Sequence, residues 1–137
     1  MKIDDITLNN LFDMAKRASN NAHSPYSGFQ IGAAVYTANK NIFTGCNVEN
    51  ASYGATICAE RVAITKAVSE NDKNIIAIAI YVQSDQVFPP CGICRQFMSE
   101  FAEDLVIYYG NDNEVHKSSL KDLYPCGFSI LNPSRSH

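Results

Sequence analysis

The period of the apolar positions changes several times along the chain, and each change marks a boundary between elements. Leu8, Leu11, Phe12, Ala15 and Ala18 recur three or four residues apart, which predicts a first amphipathic helix. The stretch "HSPYSG" (23–28) breaks it. Phe29, Ile31, Ala33 and Val35 then alternate as in a half-buried strand, and "TANKN" (37–41) reads as a hairpin loop. A second strand is expected through Ile42 and Phe43 to about Val48. Helical spacing returns at Val62, Ala63 and Ala67, within a helix expected from about Thr56 to Glu70. The run "NIIAIAIYV" (74–82) is almost wholly apolar and rich in isoleucine, as in a strand covered on both faces. Pro89 and Pro90 precede a helix expected from about Cys91 to Phe101, and "LVIYY" (105–109) is the next strand. "NDNE" (111–114) predicts a turn into a short strand at Val115–Lys117, followed by a short helix near Leu120.

This order of helix, hairpin, helix, strand, helix and strand implies an α/β domain with a mixed sheet between helical layers. The opening hairpin argues against a purely parallel sheet. No repeat, low-complexity tract or linker interrupts the pattern, so residues 1–137 are read as one domain. With 137 residues, 46% hydrophobic and 18% charged, the chain can bury a real core and carries too little charge for disorder. The net charge of -3 supplies no basic face for duplex nucleic acid, so no nucleic-acid partner is expected; a small neutral ligand is compatible. "MKIDDITLNN" (1–10) has no apolar core and two aspartates, unlike a signal peptide, and no apolar run is long enough to span a bilayer. A cytoplasmic, membrane-free protein is expected. There, the five cysteines read as ligands or buried thiols rather than disulfides.

The candidate chemistry lies in those cysteines. In "PCGICRQ" (90–96), Cys91 and Cys94 are spaced i, i+3 and share one face of a helix turn. Cys58, in "ICAERVA" (57–63), stands near the start of the preceding helix. At helix N-termini, unpaired N–H groups and the helix dipole favour thiolate over thiol. If the two helices enter side by side, three thiolates meet and leave a fourth position open, the pattern of a catalytic zinc. Glu60 can reach the same point only if Cys58 sits at the cap or first turn. A carboxylate there can handle a proton without binding the metal.

Cys-Ala-Glu followed by Pro-Cys-Gly-Ile-Cys-Arg-Gln resembles the cytidine deaminase family of zinc deaminases, with H/C-x-E and P-C-x-x-C motifs. Cys58 stands where related enzymes have histidine. With the short chain, this is similar to the small, three-cysteine, homotetrameric form of the family. The likeness runs from "PYSGFQIGAAV" through "GCNVENASYG" to "YPCGF". It implies a three-layer α/β/α fold with a mixed five-stranded sheet, and one Zn²⁺ per subunit held by Cys58, Cys91 and Cys94. It also implies hydrolytic deamination of cytidine and deoxycytidine to uridine and deoxyuridine, in pyrimidine salvage, with Glu60 as proton carrier. Asn47 and Glu49 would hydrogen-bond the 3′ end of the ribose. Phe29 would pack near the base, and Ala51 (through its backbone) and Tyr53 would close the same wall. Backbone groups at Ala59 and Cys91 would orient the ring carbonyl and amine. Arg61 matches an arginine that hydrogen-bonds the ligand thiolates. Phe128 aligns with a C-terminal aromatic that reaches a neighbouring subunit's pocket, although "PCGF" replaces the more usual "PGAF".

Blander readings compete. A closed structural zinc would need Cys46, Cys126 or a histidine as fourth ligand, and a redox dithiol would leave Cys58 and Glu60 without a role. Cys46 and Cys126 read as buried or half-buried small apolar residues, and His23, His116 and His137 as surface residues. A deaminase of another cytosine compound, such as a nucleoside antibiotic, would keep the thiols but change the sugar-reading segment. Here "NVEN" (47–50) is intact.

Overall fold

In the computed structural model, which describes residues 3–131, the first helix begins where the Asp4 carboxylate accepts the Thr7 N–H at 2.7 Å. That cap satisfies one of the free donors of the first turn. The elements then follow as α1 (Asp5–Ser19), β1 (Ile31–Thr37), β2 (Ile42–Cys46), one 3-10 turn (Tyr53–Ala55), α2 (Ala59–Ser69), β3 (Ile75–Val82), α3 (Gly92–Phe101), β4 (Val106–Gly110), β5 (Val115–Ser119) and α4 (Leu120–Leu123). The five strands form one mixed sheet in the order β2-β1-β3-β4-β5. β3 and β4 are parallel, and the other neighbouring pairs are antiparallel.

The apolar run of β3 carries a second pattern that sorts its faces. Ile78 and Ile80 point to one side, with Ala33, Val35 and Ile107, and pack beneath residues of α2 and α3 such as Ala63, Ile64 and Met98. Ala77 and Ala79 point to the other, with Ala34, and meet Leu8, Leu11 and Ala15 of α1. Three layers result: α1, the sheet, and the α2–α3 pair. Large side chains fill the second interface, and small ones let α1 lie close to the sheet. At Gly32 a β-carbon would collide with the Ala15 carbonyl, and at Gly45 it would lie 2.6 Å from Ala63 N. Both helices therefore rest on backbone.

Four expectations need correction. β1 is not half-buried: Gly32 through Val35 are all buried, because α1 covers one face and the α2 layer the other. β2 ends at Cys46 rather than Val48, since Val48 leaves the sheet to bridge His23 and Ile57. That bridge holds Ile57 extended, so α2 starts at Ala59 rather than near Thr56. Cys126 is exposed, not buried: Gly127 packs against the Tyr124 ring and leaves its neighbour outside. Cys46 is half-buried, and His23 and His116 are exposed. His137 lies outside the described residues. Among the described residues no helix is long and apolar enough to cross a membrane.

Candidate active site

α2 and α3 each begin with a cysteine in extended conformation. Cys58 caps α2 with φ -71° and ψ 154°, and Cys91 caps α3 with φ -68° and ψ 168°. Neither side chain makes a capping hydrogen bond, so both sulfurs are free to face one another. They stand 3.9 Å apart, and with Cys94, buried in the first turn of α3, the three sulfurs lie within 4.8 Å of one another. Zn–S bonds of about 2.3 Å in a tetrahedron set sulfurs roughly 3.8 Å apart, so this donor set fits a zinc ion.

The environment favours negative charge at Cys58. The Cys94 thiol donates to it, and Arg61 adds a hydrogen bond and its charge, so the Cys58 thiol is brought down to about 5. Cys94, as the donor beside that thiolate and in a buried position, is pushed well above the ordinary thiol range. Arg61 Nη2 sits 3.6 Å from Cys58 Sγ and donates to the Thr56 carbonyl at 3.2 Å. Its Nε is buried and makes no hydrogen bond.

Glu60 occupies the first turn of α2 with 5% of its surface exposed. Burial, and secondarily the charge at Cys58, pushes its carboxyl up to about 7. It has no cationic partner in a formal ion pair among the described residues. A carboxyl in that state exchanges protons near neutrality.

These groups open into a cavity of about 270 Å³ at the carboxyl ends of the parallel strands β3 and β4. Cys58, Cys91 and Glu60 line it together with the apolar Phe29, Ile31, Ile80 and Val82 and the polar Asn47 and Glu49. Such placement, at the ends of parallel strands, is where α/β sheets commonly bind ligands.

The remaining expected residues are less uniformly placed. Ala59 is fully buried, with its N–H in the first turn of α2. Ala51 and Tyr53 are exposed and do not line the cavity; the Tyr53 ring instead meets Tyr26 edge-on at 5.9 Å. Phe128 lies in a different hollow, on the outer face of α3 with Ile93 and Phe97. Gln96 holds it there by donating to the Phe128 carbonyl at 3.0 Å.

Two cavity residues escape a reading of the sequence. Phe88 packs edge-on against Phe29 at 5.2 Å, and the Ser27 hydroxyl donates to Glu49. Arg95 is a third useful group, because it donates to the Pro90 and Leu123 carbonyls at 2.7 and 2.8 Å and fixes the loop ahead of Cys91. A Cys-x-x-Cys-Arg pattern hints at that arginine, whereas nothing local marks Ser27 or Phe88.

A model of the cytidine and deoxycytidylate deaminase zinc-binding region matches residues 6–110, which include all three clustered thiols and Glu60. The chain belongs to this family. It is 48% identical over 123 residues to a probable cytidine deaminase of Dictyostelium discoideum, covering 89% of this chain and 84% of that one. It is 40% identical over 121 residues to the cytidine deaminase of Halalkalibacterium halodurans (strain C-125), with 87% and 92% covered. Among solved structures, the cytidine deaminase of Burkholderia pseudomallei superposes with a TM-score of 0.83 at 40% identity, covering 88% of this chain and 98% of that one. The matched zinc-binding region contains the Cys58–Cys91–Cys94 cluster, which has the donors and spacing to hold a metal ion, and the α/β fold with its mixed five-stranded sheet is the family's fold.

Proposed function

We propose that residues 1–137 form a single catalytic domain that hydrolyses cytidine and deoxycytidine to uridine and deoxyuridine, releasing ammonia, in cytoplasmic pyrimidine salvage. The observation that carries this reading is the meeting of three thiols and the buried Glu60 at a mostly apolar cavity that Asn47 and Glu49 also line. Its volume, about 270 Å³, is close to the lower bound of ligand pockets, roughly 300 Å³, and suits a small planar base with a sugar.

Cys58, Cys91 and Cys94 would hold Zn²⁺, which when bound supplies a Lewis acid that makes water nucleophilic near neutral pH. Glu60 takes a proton from the attacking water and gives it to N3 of the ring. It then carries the second proton to the amine that leaves C4. Phe29 holds the ring, while the Ala59 N–H and the Cys91 backbone orient its carbonyl and amine. Asn47 and Glu49 receive the ribose. A 5′-phosphate beside the Glu49 carboxylate would be repelled, which favours nucleosides over nucleotides.

The subunits are expected to assemble as a homotetramer. Apolar side chains exposed near the site support this: Tyr26, Val48, Tyr53 and Ile57 on one side, and Ile93 and Phe128 on the outer face of α3. Phe128 would then reach a neighbouring subunit's pocket.

The test is an absorbance assay with cytidine and deoxycytidine, with metal analysis on the same sample. Loss of turnover on chelation and recovery with Zn²⁺ are expected; zinc-loaded protein that releases no ammonia from either nucleoside overturns the reading. Light scattering of an active monomer would exclude the tetramer.

A further inference from the structure

One hydroxyl ties the Glu49 carboxylate of the cavity lining to the Phe29 segment beside it. Ser27 Oγ donates to Glu49 Oε2 and accepts the Phe29 N–H at 3.0 Å. Glu49 Oε1 accepts the Tyr26 and Ser27 N–H groups, both at 3.0 Å. The segment from Tyr26 to Phe29 thus wraps the carboxylate, turning at Gly28 with φ +77°. Asn47 grips the other end of the same loop, accepting the Ile31 N–H at 2.9 Å and donating to the Phe29 carbonyl at 2.8 Å.

Counting donors and acceptors assigns the roles. A carboxylate offers about four acceptor sites, and three on Glu49 are taken by the loop. The remaining one belongs to Oε2, the oxygen whose position the Ser27 hydroxyl fixes. Ser27 has a single hydroxyl proton, and Glu49 receives it. Ser27 therefore has no proton to offer a ligand and acts on one only through Glu49. The hydrogen bond from Ser27 is also the chief reason that the Glu49 carboxyl lies below the usual carboxylate range, which keeps it a charged and stronger acceptor.

We propose that Ser27 is the positioning residue for sugar recognition: it aims Glu49 Oε2 at the ribose 3′-hydroxyl and couples that contact to the placement of Phe29. This deepens the reading of Glu49 as a sugar contact and rests on it. Ser27 and Glu49 share the cavity with Phe29, so a ring on Phe29 and a sugar on Glu49 are registered by the same loop.

The experiment compares cytidine with 3′-deoxycytidine as substrates of the zinc-loaded wild type, Ser27→Ala, Ser27→Thr and Glu49→Ala. Ser27→Ala raises the cytidine KM by about tenfold, more than it changes kcat, as expected for a lost hydrogen bond to a charged group. It also shrinks the preference for cytidine over 3′-deoxycytidine, and Ser27→Thr, which keeps the hydroxyl, restores that preference. Equal losses on both substrates in Ser27→Ala would mark a merely structural residue and overturn the proposal. If Glu49→Ala abolishes the preference while Ser27→Ala keeps it, the Ser27 assignment alone fails. If Glu49→Ala keeps it, the sugar reading of Glu49 fails and the proposal falls with it.

Discussion

Arg61 reaches back along α2 to place Nη2 3.6 Å from the Cys58 sulfur, three residues before it. The contact solves an electrostatic problem. Zn²⁺ with three thiolates has a formal charge of −1, so it would polarise its open position less than a site with neutral ligands. With zinc bound, a guanidinium against one sulfur would return part of the positive charge, and the N-termini of α2 and α3 would act in the same direction.

Arg61→Ala is therefore expected to weaken zinc retention and to lower turnover, each by about 10- to 100-fold, the range usual for groups that support metal ligands. Chelator competition and kcat measure the two effects. Adding Cys58→His to Arg61→Ala removes one negative ligand and should recover part of the activity. An Arg61→Ala enzyme equal to wild type in both quantities would refute the charge argument.

Glu60→Gln separates proton transfer from metal binding. The amide nearly matches the carboxyl in shape and fits the same buried place, but it cannot carry a proton. Zinc content and thermal stability should stay near wild type, while turnover falls by at least about 10², the contribution expected of a positioned acid–base group. Loss of zinc in this variant would make Glu60 a ligand instead.

Phe88 lines the cavity and braces Phe29 edge-on, with an interplanar angle of 81°. Edge-to-face pairs contribute about 0.5–1.5 kcal/mol beyond burial, so losing the brace should weaken ring binding by roughly 2- to 10-fold. Phe88→Ala is expected to raise KM for cytidine and deoxycytidine alike, with zinc content unchanged. An equal effect on cytidine and 3′-deoxycytidine distinguishes it from Ser27→Ala, which acts through the 3′-hydroxyl. Unchanged KM for both substrates would remove Phe88 from the binding surface.

What local sequence makes legible here is periodicity and spacing. The helical stripe of α1, the apolar β3 and the Cys91–Cys94 pair all follow from residues within one element. Contacts assembled from distant loops leave no such mark. Ser27 and Phe88 enter the cavity from segments far apart in the chain; Ser27 falls within the family-like stretch "PYSGFQIGAAV" (25–35), but no spacing there marks its hydroxyl as a partner of Glu49. The error at β1 has another cause: Gly32 and Ala34 are too small to register as an apolar face, yet they are what lets α1 approach. At α2, no proline or glycine among residues 56–58 marks the helix start in the sequence, but the two hydrogen bonds between Val48 and Ile57, both 2.9 Å, hold the chain extended. That long-range bridge makes Cys58 a cap, which points its sulfur at Cys91 and sets Glu60 in the first turn. Ala51, Tyr53 and Phe128 fall outside the cavity of one chain. Their assignment rests on the family resemblance and, for Phe128, on the expected tetramer.

Away from the site, the Asp72 carboxylate joins two turns and makes stability depend on pH. It is nearly buried, at 5% exposure, and it accepts from Thr37 Oγ1 and Asn41 Nδ2 at 2.8 Å and from Asn39 Nδ2 at 3.0 Å. Those donors belong to the β1–β2 hairpin, whereas Asp72 belongs to the link from α2 to β3. Each turn contains a residue in the left-handed region, Lys40 at φ 66° and Asn71 at φ 59°, so each needs support. The hydrogen bond from Asn41, with those from Thr37 and Asn39, lowers the Asp72 pKa from 3.8. The folded state then binds a proton less readily than the unfolded one, and stability rises with pH across the acid range. The contribution is complete above the unfolded value of 3.8 and is lost as pH falls through the lower folded value. Asp72→Asn removes the charge and turns an amide donor toward other donors. Its thermal midpoint should lie below wild type at neutral pH, and the gap should narrow as pH falls below that unfolded value. Thermal unfolding of both proteins across this range checks the sign: a gap that widens or stays constant in acid would refute the role given to the ionised carboxylate.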